Sequence, residues 1–185
     1  QQNQFLLPEQ IRFEFIREGD NNYSLSNASA RYIFQDSFNN IWIGTWGGGI
    51  NFISNASPAF HTWSYSPTQM NESSLSNKVV SSVCDDGQGK LWIGTDGGGI
   101  NVFENGKRVA IYNKENRELL SNSVLCSLKD SEGNLWFGTY LGNISYYNTR
   151  LKKFQIIELE KNQLLDVRVF YEDKNKKIWI GTHAG

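Results

Sequence analysis

The sequence predicts an all-β fold, a β-propeller whose blades are each four antiparallel strands. Three observations predict it. The tetrapeptide Trp-[Ile/Phe]-Gly-Thr occurs four times, starting at Trp42, Trp92, Trp136 and Trp179. The starts lie 50, 44 and 43 residues apart, which is the period of a propeller blade and far longer than a β-helix coil. Each copy is flanked by short apolar runs and turn residues, and no amphipathic helical run competes with them. A β-sandwich, the other alternative, seldom repeats one motif at this fidelity.

Within the unit, the first strand is the apolar-rich stretch at Tyr32-Ile33-Phe34, Val79 to Cys84, Val124 to Leu128 and Val167 to Tyr171. A turn follows. It begins at an aspartate six residues before each Trp (Asp36, Asp86, Asp130, Asp173), and three places later stand Asn39, Gly89, Gly133 and Lys176. Aspartate caps such turns with its side chain, and Gly or Asn supplies positive φ at the end. Lys176 breaks this pattern, so a wider fourth turn is expected.

The second strand, Ile41-Trp42-Ile43 and its copies, is apolar on both faces, so both faces are expected to be covered. A second turn, Trp46-Gly47-Gly48-Gly49 in the first copy, leads to a third strand at Ile50 to Ile53, Ile100 to Phe103 and Ile144 to Tyr147. A looser fourth strand is expected at Phe60 to Tyr65, Arg108 to Tyr112 and Phe154 to Leu159. The polar loop into the next unit carries Leu-Ser-Asn, at Leu25-Ser26-Asn27, Leu75-Ser76-Asn77 and Leu120-Ser121-Asn122.

This count of strands gives about three complete blades plus parts of a fourth. Residues 1–24 read as the last strand (Ile11 to Ile16) and loop of a preceding blade. Residues 25–74, 75–119 and 120–163 read as blades, and 164–185 as the first two strands of a further one. The expectation is a partial array whose remaining blades belong to the same receptor or to another copy.

Charge is balanced, 18 basic residues against 19 acidic, with no long basic run. Nucleic acid is therefore not an expected partner. Lys174, Lys176 and Lys177 cluster in a turn, where solvation explains them. Cys84 and Cys126 read as buried free thiols on neighbouring first strands. Neither they nor the two histidines show metal-ligand spacing, so no metal and no cofactor is expected. His61 falls in an outer strand, where a packing role is the common one. The glycine runs Gly47-Gly48-Gly49 and Gly97-Gly98-Gly99 open a strand, not a helix, so they read as tight turns and not as a phosphate loop. No convergent set of acid, base and nucleophile stands out.

One position varies inside an otherwise faithful motif. The residue after Gly-Thr is Trp46, Asp96, Tyr140 and His183 in turn. In a propeller this turn and the Leu-Ser-Asn loop lie at the same end of the disc. Aromatic rings and a carboxylate on one face suit a sugar, whose apolar ring faces stack while its hydroxyls take polar partners. These four residues are the candidate ligand contacts. Against them stands the reading that residues at turn tips are simply unconstrained.

The whole pattern, Asp-x-x-[Gly/Asn]-x-[Leu/Ile]-Trp-[Ile/Phe]-Gly-Thr-x-x-Gly-Gly-[Leu/Ile] after Leu-Ser-Asn, resembles the two-component regulator propeller repeat. The likeness is clearest over Asp86 to Phe103 and Asp36 to Phe52, and it extends from Leu25 onward. Tyr140-Leu141-Gly142-Asn143, which lacks the paired glycines, and Lys176 depart from it and raise the expectation of altered loop shapes. The resemblance implies a periplasmic sensor region of an inner-membrane hybrid two-component system. It implies a segment that is itself non-catalytic, an oligosaccharide ligand, a homodimer, and a membrane span and histidine kinase elsewhere in the protein. Two other functions stand beside it: a protein-interaction scaffold, and a propeller enzyme of the streptogramin-lyase type.

Overall fold

The computed structural model describes residues 16–19, 24–67, 71–159 and 165–183. The orphan strand expected at Ile11 to Ile16 lies outside them, apart from Ile16. The described residues contain no helix, and their strands form four antiparallel sheets in the order the repeat predicts. The first sheet is β1 (Ala30–Gln35), β2 (Ile41–Thr45), β3 (Ile50–Ser54) and β4 (Ser57–Trp63). The second is β5 (Val80–Asp85), β6 (Lys90–Thr95), β7 (Gly99–Glu104) and β8 (Lys107–Tyr112). The third is β9 (Val124–Lys129), β10 (Leu135–Thr139), β11 (Ile144–Asn148) and β12 (Lys153–Ile157). Two strands, β13 (Val167–Glu172) and β14 (Ile178–Thr182), make the fourth. The first strands β1, β5, β9 and β13 pack against one another in succession and so form the inner wall of the array.

The hydrophobic core is a series of wedges between neighbouring blades. Tyr32, Phe34, Trp42 and Trp63 of the first blade meet Val80, Val83, Leu91, Ile93 and Phe103 of the second. Trp92, Ile100 and Val102 of the second meet Val124, Leu135, Phe137 and Tyr147 of the third. Cys126 and Ile144 of the third meet Val167 and Phe170 of the fourth. In the second blade the second strand is covered on both faces, as its apolar sequence requires: Trp92 and Ile93 are adjacent, point opposite ways and are both buried, whereas Trp179 of β14 is 61% exposed.

The motif glycine makes this stacking possible. A Cβ on Gly44, Gly94 or Gly138 would lie 2.7, 2.6 or 2.7 Å from a Cγ1 of Val80, Val124 or Val167, each on the next blade's first strand. The following threonine locks the next turn. The hydroxyls of Thr45, Thr95 and Thr139 donate to the carbonyls of Gly49, Gly99 and Asn143 at 2.8, 2.9 and 3.1 Å.

The aspartate does more than cap its turn. Its Oδ1 accepts backbone N–H bonds, as in Asn40 to Asp36 at 2.9 Å. Its Oδ2 accepts from the indole N–H of the motif Trp, at 2.9 Å for Trp42, 2.8 Å for Trp136 and 3.0 Å for Trp179. The six-residue spacing therefore satisfies the one polar atom of the motif ring, whether the remainder is buried between blades, as at Trp92, or 61% exposed, as at Trp179. At Asp173 the indole of Trp179 and the Lys177 amide hold the carboxyl below the usual carboxylate range.

Two expected departures are corrected. The fourth turn is not wider: Lys176 takes φ 62°, beside 62°, 95° and 84° at Asn39, Gly89 and Gly133, and its amide donates to the Asp173 carbonyl at 2.9 Å. The Asp173 bonds to Trp179 and the Lys177 amide hold Lys176 in a conformation unfavourable to a side chain. Lys176→Gly should therefore raise stability by about 0.5 kcal/mol in urea unfolding. At the loop 140–143 the correction is partial: Leu141 and Asn143 take positive φ of 47° and 57° at the positions of the paired glycines and the Thr139 closure is kept, but Leu141 departs from the 105° and 109° of Gly47 and Gly97. Gly142 is retained where a Cβ would lie 2.9 Å from the Ser121 Cβ.

Candidate functional site

The first two Leu-Ser-Asn loops are clasped to their own blades, whereas the third blade carries Ser145 at the position of Asn51 and Asn101. The Ser26 amide donates to Asn51 Oδ1 at 2.9 Å, the Ser26 hydroxyl to the Gly48 carbonyl at 2.9 Å, and Asn51 Nδ2 returns a bond to Ser26 Oγ at 2.8 Å. Ser76, Gly98 and Asn101 repeat this arrangement. The loop and the Gly-Gly-Gly turn therefore share one end of the blade. In the third copy the letters mislead. Leu119 is 2% exposed and fills the place of Leu25 and Leu75, while Leu120 is 40% exposed.

The residue after Gly-Thr is held by main-chain bonds to its own first strand's approach. Trp46, Asp96, Tyr140 and His183 donate their amides to the carbonyls of Ser29, Val79, Ser123 and Asp166 at 2.9 to 3.1 Å. Their backbones are thereby fixed while their side chains are left to vary. Trp46 and Tyr140 are about half exposed.

The first strands add a feature that residue types do not announce. In every blade the pairing of first and second strands slips by one residue. The slip falls between Ala30 and Tyr32, between Val80 and Ser82, opposite Gly138 and Thr139, and between Val167 and Val169. The residues left unpaired are Arg31, Ser81, Leu125 and Arg168. Such bulges re-aim a side chain, and all four residues line one cavity of about 290 Å³ with Trp46, Val79, Val80 and Asp96. Tyr140 and His183 stand outside its described lining.

Inside this cavity the Arg31 guanidinium lies 4.6 Å from the Trp46 ring centroid, a cation–π contact. Arg168 pairs with Asp166 at 3.1 Å, and Asp166 also accepts the Leu141 amide at 2.8 Å, tying the third blade's turn to the fourth blade. Asp96 accepts from the Ser123 hydroxyl, and Ser81 spends its own hydroxyl on backbone carbonyls. The site thus offers an aromatic plane, two guanidinium groups and a carboxylate. Sequence reasoning missed Arg31 and Arg168. Their signal is positional, eleven residues before each motif Trp.

Both cysteines are buried free thiols, and burial pushes each up to about 12. Among the described residues no group of three or more His, Cys, Asp and Glu side chains could hold a metal. His61 lies in β4, as expected of an outer-strand residue.

Four-stranded blades stacked through their second strands, with the first strands innermost, define a β-propeller segment. Within that class the chain belongs to the two component regulator propeller family, whose profile matches residues 24–47, 74–97, 118–141 and 164–184. Among solved structures it is 93% identical to the extracellular domain of a protein described as the hybrid two component system BT3049 from B. thetaiotaomicron. That match has a TM-score of 0.62 and covers 94% of this chain and 22% of the other. A second match, BT4673 from B. thetaiotaomicron, is described in the same terms. It is 25% identical, with a TM-score of 0.72 over 92% of this chain and 24% of the other. PorZ of the type-IX secretion system of Porphyromonas gingivalis, 16% identical with a TM-score of 0.51 over 96% of this chain and 32% of its own, shares the fold alone. The chain thus spans under a quarter of the two hybrid-system domains. No curated protein matches it.

Proposed function

We propose that this chain is a non-catalytic, ligand-sensing segment in the extracellular or periplasmic region of a hybrid two-component system. It recognises oligosaccharides released by glycan breakdown and signals to a histidine kinase elsewhere in the same protein. In this reading the blades divide at 25–74, 75–119 and 120–163, and the remaining blades of the receptor complete the ring. Ligand acts by favouring one arrangement of a receptor homodimer over another, to the extent that it binds one more tightly.

The observation that carries the proposal is the cavity at the bulged first strands, where Trp46 presents a half-exposed ring beside Arg31 and Asp96. A pyranose stacks its C–H face on such a ring while guanidinium and carboxylate groups bond its hydroxyls. Tyr140 and His183, in the same register on neighbouring blades, extend the surface for a longer chain of sugars. Calorimetric titration of the intact receptor with glycan oligosaccharides tests this. Trp46→Ala should weaken binding by about tenfold or more, the loss of one stacked ring. Unchanged affinity in both Trp46→Ala and Tyr140→Ala would remove this face from ligand recognition.

A further inference from the structure

A second cavity, of about 270 Å³, lies between the first and second blades, on the side of the strand turns near Gly89 and Gly106. It lies where the repeats differ in their filling, with Arg108 in place of Phe154 and Ile93 in place of Phe137. One blade further on, the ring of Phe154 packs with its centroid 4.8 Å from Tyr112, 4.9 Å from Tyr147, and 6.3 Å from both Trp92 and Phe137. Strand register places Trp63, Phe103, Trp42 and Ile93 at the four corresponding positions, and all four line the cavity. The nest is present and its filler is not. Arg108 holds the register position of Phe154, opposite Phe103 as Phe154 is opposite Tyr147, and its guanidinium donates to the Ser74 carbonyl instead.

The lining determines what fits. Phe52 lies 4.3 Å from Trp42, and Trp63 lies 5.5 Å from it, all by ring centroids. The Trp63 indole N–H is already spent on the Gly106 carbonyl at 3.2 Å. Apart from Asn105 the lining side chains are apolar or have their indole N–H already spent, so a pyranose would surrender water at most of its hydroxyls without recovering partners here. A neutral aromatic ring loses nothing and gains tilted ring contacts on several sides. The volume suffices, since an apolar protein cavity of about 150 Å³ stays dry and accepts benzene.

We infer that this cavity is a binding site for a small neutral aromatic molecule, which supplies the ring that Phe154 supplies one blade further on. The site is separate from the face proposed for oligosaccharides and does not depend on it.

The probe is 4-fluorotoluene, followed by fluorine NMR on the intact protein that carries this segment. Saturable broadening of the fluorine line is expected, with Overhauser transfer to the ring protons of Trp42 and Trp63. Arg108→Phe should fill the nest from within and weaken the probe at least tenfold. Should that variant fail to fold, Arg108→Leu, a smaller filler, should weaken it at least threefold. Absence of saturable binding overturns the inference, and so does binding that neither substitution changes. An aromatic side chain from elsewhere in the protein or from a second copy, already seated in the cavity, would also appear as absence of binding.

Discussion

Trp92→Ala should cost about 3–5 kcal/mol of stability, the range for deleting a large buried aromatic side chain. The residue is 2% exposed and its ring is surrounded: Tyr147 at 4.6 Å, Tyr112 stacked at 5.6 Å, Phe137 at 5.9 Å and Phe154 at 6.3 Å. These neighbours come from two blades, so truncation opens a cavity in the wedge that joins them. Their rings are held by strand register and cannot collapse far. Trp92→Phe should cost much less, because it keeps most of the apolar contact and gives up chiefly the indole bond to Asp86. Trp46→Ala should cost less than about 1 kcal/mol, since the ring is 48% exposed and loses mainly one cation–π contact. Equilibrium urea unfolding of the three variants gives the order directly. A Trp92→Ala loss as small as that of Trp46→Ala would show that blade contacts are not the main source of stability. The same comparison separates the two uses of tryptophan in this chain, one ring holding blades together and one left free on a face.

What was legible in the sequence follows from what repetition preserves. The strand order was readable because a mistake in one copy would have been exposed by the other three. The turn aspartates were readable as caps, but their second bond was not. Six residues of spacing reads as turn chemistry until the indole N–H is seen to need an acceptor inside an apolar wedge. Lys176 and Leu141 were misjudged because residue type indicates preference for a backbone conformation, whereas the bonds around those loops impose it. At Leu119 the letters Leu-Ser-Asn stand one residue late while the frame is kept, 17 residues before Trp136 as Leu25 and Leu75 are before Trp42 and Trp92, so burial follows distance from the strand and not the letters. The four bulge residues were legible by position alone, eleven residues before each motif Trp, and not by residue type. Arg31, Ser81, Leu125 and Arg168 share no chemistry, and a bulge is recorded only in the pairing of two strands. The candidate contacts Trp46 and Asp96 could be named because they vary next to an unvarying motif, while the arginines beside them vary in a stretch that varies everywhere.

Gly94→Ala should cost about 1–3 kcal/mol, the usual penalty for overpacking a close-packed interior. The added methyl would lie 2.6 Å from Cγ1 and 3.1 Å from Cβ of Val124, and against the Ser82 hydroxyl. Every one of those atoms belongs to a side chain. The strain should therefore be relieved in a double variant. In a Val124→Ala background Gly94→Ala should cost less than about half as much, a coupling of roughly 1 kcal/mol between residues in direct contact. Gly138→Ala provides the contrast. Its methyl would meet Cys126 Sγ at 2.5 Å and Cγ1 of Val167 at 2.7 Å, but also the Val167 carbonyl oxygen at 2.8 Å, which belongs to the strand itself. Shortening that side chain leaves the carbonyl in place, so Val167→Ala should rescue Gly138→Ala far less. The measurement is a pair of double-mutant cycles by urea unfolding of the intact protein. Equal coupling in the two cycles would mean that the blades slide to admit a methyl, and that the motif glycine serves the turn and not the blade contact. Unequal coupling in the predicted order would establish why glycine stands third in the first three tetrapeptides: the next blade's first strand is seated where its side chain would be.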